Sequence, residues 1–239
     1  MIRRSFTALS LVLVAAAPLA AQMKDHDPDK KADGGALPAG WMGRTDRENA
    51  KLSDAKFEKK GAGYSVTSGP AAIYWKDNNV TGPFTATATF AQQKAPSHPE
   101  AYGLFFTGKN LVSPQQTYFY FLVRGDGKFT VKHRAGKDVH TLMDWTDNAA
   151  VNKQDAGGKA TNKLTVDASQ ADSVRLLVNG KPVNALARAN VGSTDGALGL
   201  RVNHNLDVQV SDFTVTPKKG AVSVAPKKND AKKTAKAKG

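Results

Sequence analysis

The chain has 239 residues, 40% hydrophobic and 8% aromatic content, no cysteine and a formal net charge of +13. This hydrophobic content excludes a wholly disordered chain, the length suffices to bury a core, and repeated apolar runs long enough to span a membrane are absent from the sequence. The missing cysteines exclude a disulfide scaffold, a thiol nucleophile and a cysteine-based metal site.

The positive charge is concentrated at the C-terminal end of the sequence. Residues 218–239 hold eight lysines and one acid, whereas residues 22–217 together carry a net charge of +4. The central part therefore lacks the basic character of a nucleic-acid-binding surface, and we expect no specific nucleic-acid partner. Residues 218–239 have almost no large apolar side chains, which predicts a disordered Lys-rich tail that would bind anionic cell-surface polymers through its charge. A solvated tail without a partner is the alternative.

The first 21 residues have the pattern of an export signal. Arg3 and Arg4 precede an apolar stretch from Phe6 to Ala17, and small residues follow up to Ala21. The stretch is too short to span a bilayer, although an uncleaved N-terminal anchor is the alternative. Residues 1–21 thus predict a signal peptide and a secreted protein, periplasmic or extracellular, with no transmembrane segment.

Residues 22–40 are rich in charge and glycine and show no apolar periodicity, so they predict a flexible leader. Its run from Asp25 to Asp29 contains three aspartates and His26, which offers ligands for a divalent cation. A metal site needs a fixed geometry, however, and no predicted element holds this run in place. We therefore expect no metal there.

Residues 41–217 show the pattern of an antiparallel β-sandwich. Phe84–Phe90 alternates strictly between apolar residues and threonines, and Tyr118–Arg124 is almost continuously apolar, as expected for a central strand covered on both faces. Asp126-Gly127 and Asn179-Gly180 predict hairpin turns, the second of type I′. We predict an all-β domain and a monomer.

One face of this predicted sandwich combines aromatic and cationic side chains. If Phe119 and Phe121 point between the sheets, alternation along this strand and its neighbours places a set of aromatic and polar residues on the outside. Sugar rings stack on aromatic faces while Arg and Asn bind hydroxyl groups, so this outer wall predicts a carbohydrate site. The alternative is that both faces of the strand are covered. The predicted ligand-binding residues are Tyr118, Tyr120, Arg124, Lys132, Arg134, Trp145, Arg201 and Asn203.

The acidic residues and histidines argue against catalysis. Glycoside hydrolysis uses two carboxylates across the scissile bond, but the only glutamates, Glu48, Glu58 and Glu100, lie on no predicted central strand. Asp144 and Asp147 flank Trp145, which we interpret as a solvated loop. The five histidines are scattered with no two at metal-ligand spacing, so we expect no catalytic residue, metal ligand or cofactor. The sequence alone neither predicts nor excludes a structural calcium ion at the rim of the sandwich.

Several segments resemble a known fold family when they are taken in order. Gly103–Phe106, Ser173–Val183, Gly196–Val202 and Val208–Val215 together look like a concanavalin A-like jelly roll, as in laminin-G-like and family-16-glycosidase-like domains. A nearer resemblance is to the 3-keto-disaccharide hydrolase domains. The resemblance implies a jelly roll over about residues 41–216, an architecture that hosts lectins, hydrolases and adhesion modules.

The same resemblance bears on activity. The hydrolase domains carry an acidic cluster on the strand after the first of these segments, whereas Thr117–Val123 contains no acid. We therefore predict a secreted, non-catalytic module that binds carbohydrate or a cell-surface polymer, with the basic tail adding adhesion. A hydrolase or lyase acting on a glycoside or 3-keto-glycoside, and a structural surface protein without a small ligand, are the alternatives.

Overall fold

The computed structural model describes residues 28–218 and 222–224. The predicted signal peptide, residues 22–27 of the predicted leader and most of the Lys-rich tail lie outside the described residues. Within the described part, no helix has the length and apolar character needed to cross a membrane.

Within the described residues, fifteen strands form two antiparallel sheets. They are β1 (Trp41–Thr45), β2 (Lys56–Lys60), β3 (Gly63–Thr67), β4 (Ala72–Thr81), β5 (Phe84–Gln92), β6 (Ala101–Lys109), β7 (Thr117–Arg124), β8 (Lys128–Ala135), β9 (Asp138–Asp147), β10 (Ala160–Asp167), β11 (Ser173–Val178), β12 (Lys181–Ala187), β13 (Gly196–Val202), β14 (Asp207–Pro217) and β15 (Val222–Val224). The helices described are a 3-10 turn at Leu52–Asp54 and the single turn α1 (Arg188–Val191).

The strand order defines the two layers. The front sheet has the order β1-β4-β13-β6-β7-β8-β9, with β15 also pairing with β4. The back sheet has the order β12-β11-β10-β5-β14-β3-β2. Both layers are antiparallel sheets, and each combines strands from distant parts of the chain. The all-β sandwich predicted from the sequence is therefore confirmed.

The core lies between the sheets and follows the predicted alternation. In β5, Phe84, Ala86, Ala88 and Phe90 are buried, while the three threonines between them are partly exposed. This pattern fits a strand with one face on the core, because side chains alternate between the two faces of a sheet. The central strand β7 of the front sheet is covered on both faces, since it contributes side chains to two separate hydrophobic clusters.

Two predicted hairpins occur where expected. The chain turns from β7 into β8 through Asp126 and Gly127, which has a φ of 90°. The turn from β11 into β12 uses Asn179 and Gly180, with φ values of 51° and 78°. Positive φ at both central residues is the type I′ geometry that matches the twist of paired strands.

The described part of the predicted leader is hydrogen-bonded to the domain. The backbone amide of Lys30 donates to Asn205 Oδ1 at 2.8 Å, and Asn205 Nδ2 donates to the carbonyl of Pro28 at 3.0 Å. The amide of Ala32 donates to the carbonyl of Asp54 at 2.9 Å. This docking differs from the flexible leader expected from composition, because backbone hydrogen bonds do not require apolar side chains.

Candidate functional site

The outer face of the front sheet brings together several of the predicted ligand-binding residues. Tyr118 lies opposite Arg134 and Tyr120 lies opposite Lys132 in the β7–β8 register. Residues directly opposite each other on antiparallel strands share a face, so these four side chains lie on the same side of the sheet. Arg201 joins them from β13, with its guanidinium 4.5 Å from the ring centroid of Tyr120 and Nη1 3.3 Å from Tyr118 Oη.

The solvent exposure of this wall differs from the expectation. Tyr118, Tyr120 and Arg201 are only 1%, 5% and 5% exposed, so the alternative that both faces of β7 are covered describes these side chains. The loop before β7 contributes Leu111 to the same hydrophobic cluster as both tyrosines, and Asp46 in the loop after β1 contacts Arg201. Arg44 holds one of these loops, because its Nη1 donates to the carbonyls of Leu111 at 3.0 Å and Ser113 at 2.5 Å.

Asp46, which follows β1, is the central carboxylate of this face. Arg201 donates two hydrogen bonds to it, Nη1–Oδ1 at 2.7 Å and Nη2–Oδ2 at 2.5 Å. Arg134 lies 3.8 Å from Asp46 Oδ2 and also donates to its backbone carbonyl at 3.2 Å. Burial alone would raise the pKa of Asp46, but the attraction of Arg201, Arg134 and Arg44 outweighs it and holds the pKa below its ordinary value. Asp46 is therefore a fixed, ionised acceptor.

Two open cavities lie next to Asp46, and both are lined by Asp46 and Arg47. The first has a volume of about 270 Å³ and the second of about 410 Å³, and the second volume falls within the range of small-ligand sites. Polar side chains of both charges line them: Asp29, Glu100, Asn203 and His204 in the first, and Arg44, Glu48, Gln116 and Arg134 in the second. Both cavities therefore offer hydrogen-bond donors and acceptors beside the fixed Asp46 carboxylate.

Arg124 and Trp145 form a second aromatic–cation pair on the front sheet. The Arg124 guanidinium lies 4.4 Å from the ring centroid of Trp145, and Asp126 fixes it through an Nη2–Oδ2 contact of 2.6 Å. Trp145 is partly exposed and packs against the outer hydrophobic cluster. Its position in β9 corrects the predicted loop, because that strand continues to Asp147.

The acids that flank Trp145 are engaged locally. Asp144 accepts a hydrogen bond from the Trp145 amide at 2.8 Å, and Asp147 lies 3.3 Å from Lys128 Nζ. Both side chains are exposed on an edge strand of the front sheet. We see no arrangement of these two carboxylates around a common substrate position, which agrees with their interpretation as solvated groups.

A cluster of His98, Glu100 and His204 lies beside the smaller cavity and was missed by the sequence analysis. His98 Nε2 and His204 Nε2 are 3.0 Å apart, and Glu100 Oε1 lies 3.0 Å from the first and 2.7 Å from the second. His204 Nδ1 is 3.1 Å from Asp29 Oδ1. The interpretation of the histidines as scattered is thus wrong for this pair, whose 106-residue separation hides the contact in the sequence.

Comparison with solved structures identifies the architecture. The chain is similar to the carbohydrate-binding module CBM66 from Bacillus subtilis, with a TM-score of 0.56 and 12% identity over 80% of this chain and 100% of that one. It is also similar to a Bacillus subtilis protein of unknown function with a galectin-like fold, with a TM-score of 0.53 and 12% identity over 74% and 88% of the two chains. No protein-family model and no curated protein sequence matches the chain. At this identity the likeness shows the fold alone, and the predicted concanavalin A-like jelly roll is confirmed.

Proposed function

We propose that the chain is a secreted, non-catalytic module that binds carbohydrate on the outer face of the front sheet. The observation that carries the proposal is the ionised Asp46 carboxylate, held by Arg201 and Arg134 between two adjoining open cavities. Sugar hydroxyl groups both donate and accept hydrogen bonds, and charged partners make the stronger ones. A fixed carboxylate beside arginines therefore suits a polyhydroxylated ligand.

The site is also organised before any ligand binds. Asp46 and Arg201 are already paired, and Arg201 packs on the ring of Tyr120. Ligand binding would therefore cost little conformational entropy, because these groups are already ordered. The partly exposed ring of Trp145, held by Arg124, adds an aromatic surface of the kind on which sugar rings stack.

A binding panel tests this proposal. We expect the full chain to be retained by at least one class of immobilised polysaccharide, both at 0.15 M and at 0.5 M NaCl, because hydrogen bonds and stacking resist screening better than long-range charge. Trp145→Ala and Arg47→Ala should each weaken retention at least about tenfold. Lys181→Ala, an exposed change on the far edge of the back sheet, is the matched control and should bind like the wild type. Failure of every polysaccharide to retain the chain at either salt concentration would refute the proposal.

One observation favours the alternative of a glycoside hydrolase or lyase. Asp29, Asp46 and Glu100 all line the smaller cavity, and His204 bridges the first and the last of them. The lowered pKa of Asp46 makes it a poor proton donor near neutral pH, so Glu100 and Asp29 would have to supply the chemistry. Incubation with 3-keto-glucosides and aryl glycosides tests this second candidate. Product that forms with the wild type but not with Glu100→Gln would replace the non-catalytic proposal.

The proposals on export and on the tail rest on the sequence alone. Arg3, Arg4 and the apolar stretch that follows support secretion, and the eight lysines of residues 218–239 support weak adhesion to anionic polymers. We expect N-terminal sequencing of the exported protein to begin at Gln22. A mature chain that still begins at Met1 in the membrane fraction would instead support the uncleaved anchor.

A further inference from the structure

We propose that His98, Glu100 and His204 form a binding site for a divalent transition metal ion of the zinc class. The two imidazole nitrogens and one carboxylate oxygen stand at the corners of a triangle with sides of 2.7, 3.0 and 3.0 Å. Glu100 and His204 also line the smaller cavity of the proposed carbohydrate site, but zinc binding by the three ligands requires no bound glycan.

The fold fixes the three residues next to one another. His98 and Glu100 lie just before β6, and His204 lies just after β13, which is the antiparallel neighbour of β6. The end of β13 and the start of β6 are joined there by a hydrogen bond from the Asn203 amide to the Ala101 carbonyl at 2.9 Å. The ligands therefore sit at a paired end of the front sheet and not on a free loop tip.

The spacing suits coordination of one ion. Zinc binds histidine nitrogen and carboxylate oxygen at about 2.0–2.2 Å, and tetrahedral ligands at that distance are about 3.4 Å apart. An ion placed above the plane of the triangle can reach all three atoms, and tetrahedral angles follow once each atom moves outward by a few tenths of an ångström. All three ligands lie on one side of such an ion, which leaves a fourth position for water or a bound ligand.

Asp29 supplies the outer partner that a metal-bound histidine usually has. A carboxylate only accepts hydrogen bonds, so His204 Nδ1, 3.1 Å from Asp29 Oδ1, is the donor in this contact. The other ring nitrogen, Nε2, faces Glu100 Oε1 at 2.7 Å and His98 Nε2 at 3.0 Å. Metal-binding histidines commonly donate their other ring N–H to a carboxylate, and the Asp29–His204 contact matches this carboxylate–histidine–metal arrangement.

The donor set selects the kind of ion. Calcium and magnesium prefer oxygen ligands, whereas imidazole suits zinc, copper, nickel and iron. Glu100 and His204 line the 270 Å³ cavity beside Asp46, while His98 and Glu100 line a smaller depression on the other side. An ion bound here is therefore accessible from solvent and can exchange.

Zinc titration of the full chain, stripped with EDTA and dialysed, tests the proposal. We expect calorimetry to show one equivalent of bound Zn²⁺, no comparable signal with Ca²⁺, and a higher melting temperature with zinc because the ion binds only the folded state. His204→Gln and Glu100→Gln should weaken zinc binding at least 100-fold. Asp29→Asn leaves the ligand set intact and should weaken binding about 10- to 100-fold by removing the outer partner.

His140→Gln is the matched control. His140 is an exposed histidine of β9 that stacks on His133, away from the proposed ligands, so its variant should bind zinc like the wild type. Equal zinc affinity in the wild type and in His204→Gln would overturn the proposal. Absence of saturable zinc binding in the wild type would also overturn it. Because the titration contains no glycan, its failure leaves the carbohydrate proposal standing, and the reverse also holds.

Discussion

The Asp46 carboxylate neutralises the buried guanidinium of Arg201. This contact fixes the loop after β1 to the front sheet. We predict that Asp46→Asn lowers the free energy of unfolding by about 3 kcal/mol at pH 7, because it leaves Arg201 buried without its counter-ion. Urea unfolding measures this loss. Asp144→Asn, an exposed change on β9, is the control and should stay within about 0.5 kcal/mol of the wild type.

The pH dependence of this loss has a definite sign. The pKa of Asp46 is lower in the folded state than its ordinary value of 3.8. Its contribution to stability is therefore complete above pH 3.8 and disappears as the pH falls through the lower folded-state value. We expect the difference in unfolding free energy between the wild type and Asp46→Asn to be constant from pH 7 to about pH 5 and to shrink toward pH 3 and below. A difference that persists undiminished in acid would show that the variant acts by another route.

Residue-level predictions from the sequence succeed where only local geometry matters. Alternation along β7 correctly separates Phe119 and Phe121, in the central cluster, from Tyr118 and Tyr120, in the outer one. Solvent exposure could not be predicted in this way, because alternation along a strand does not show which loops cover its outer face. The partner of Arg201 could not be predicted either, since Asp46 lies 155 residues away in a polar segment without a strand pattern.

At the scale of elements, the glycines of β13 explain part of the motif that carried the family resemblance. A Cβ atom on Gly199 would lie 2.0 Å from the Tyr74 carbonyl oxygen in β4 and 2.6 Å from the Phe105 ring in β6. The strand register also shifts between Ala197 and Gly199 on both sides of β13. Glycine thus lets β13 pack closely between its two neighbours.

This close packing makes a substitution test possible. We predict that Gly199→Ala lowers the free energy of unfolding by about 2 kcal/mol or more, because the methyl group meets backbone that cannot move aside. Thermal unfolding should show a drop of several degrees in melting temperature. Gly35→Ala, where nothing lies within 4 Å of the added atom, is the control. Equal melting temperatures for both variants would contradict the inferred approach of β13 to β4.

Element predictions were most reliable for strands with a regular period and a tight turn. The pattern of β5 and the Asn179-Gly180 hairpin needed no tertiary information. Trp145 was instead predicted to lie in a loop because its neighbours Asp144 and Asp147 are polar, yet an edge strand with both acids in solvent accommodates them. Polarity near an edge strand is therefore a poor guide to where the strand ends.

At the scale of the whole molecule, the candidate sites depend on contacts that no local pattern encodes. The loop after β1, the end of β13 and the start of β6 meet at one side of the front sheet, where the cavities beside Asp46 and the His98–Glu100–His204 cluster lie together. The jelly roll could be predicted from the order of strand motifs, but this meeting of segments could not. The pairing of strands far apart in the chain creates it.

The central claim, that carbohydrate binds on the outer face of the front sheet, is tested most directly by tryptophan quenching. Trp41 and Trp75 are buried, whereas Trp145 is partly exposed, so acrylamide should quench chiefly Trp145. With a polysaccharide that the panel identifies, we predict protection of the wild type from acrylamide. Trp145→Phe, which keeps an aromatic ring, should retain binding but lose this protection. Saturating binding that leaves Trp145 as accessible to acrylamide as in the free protein would contradict the account.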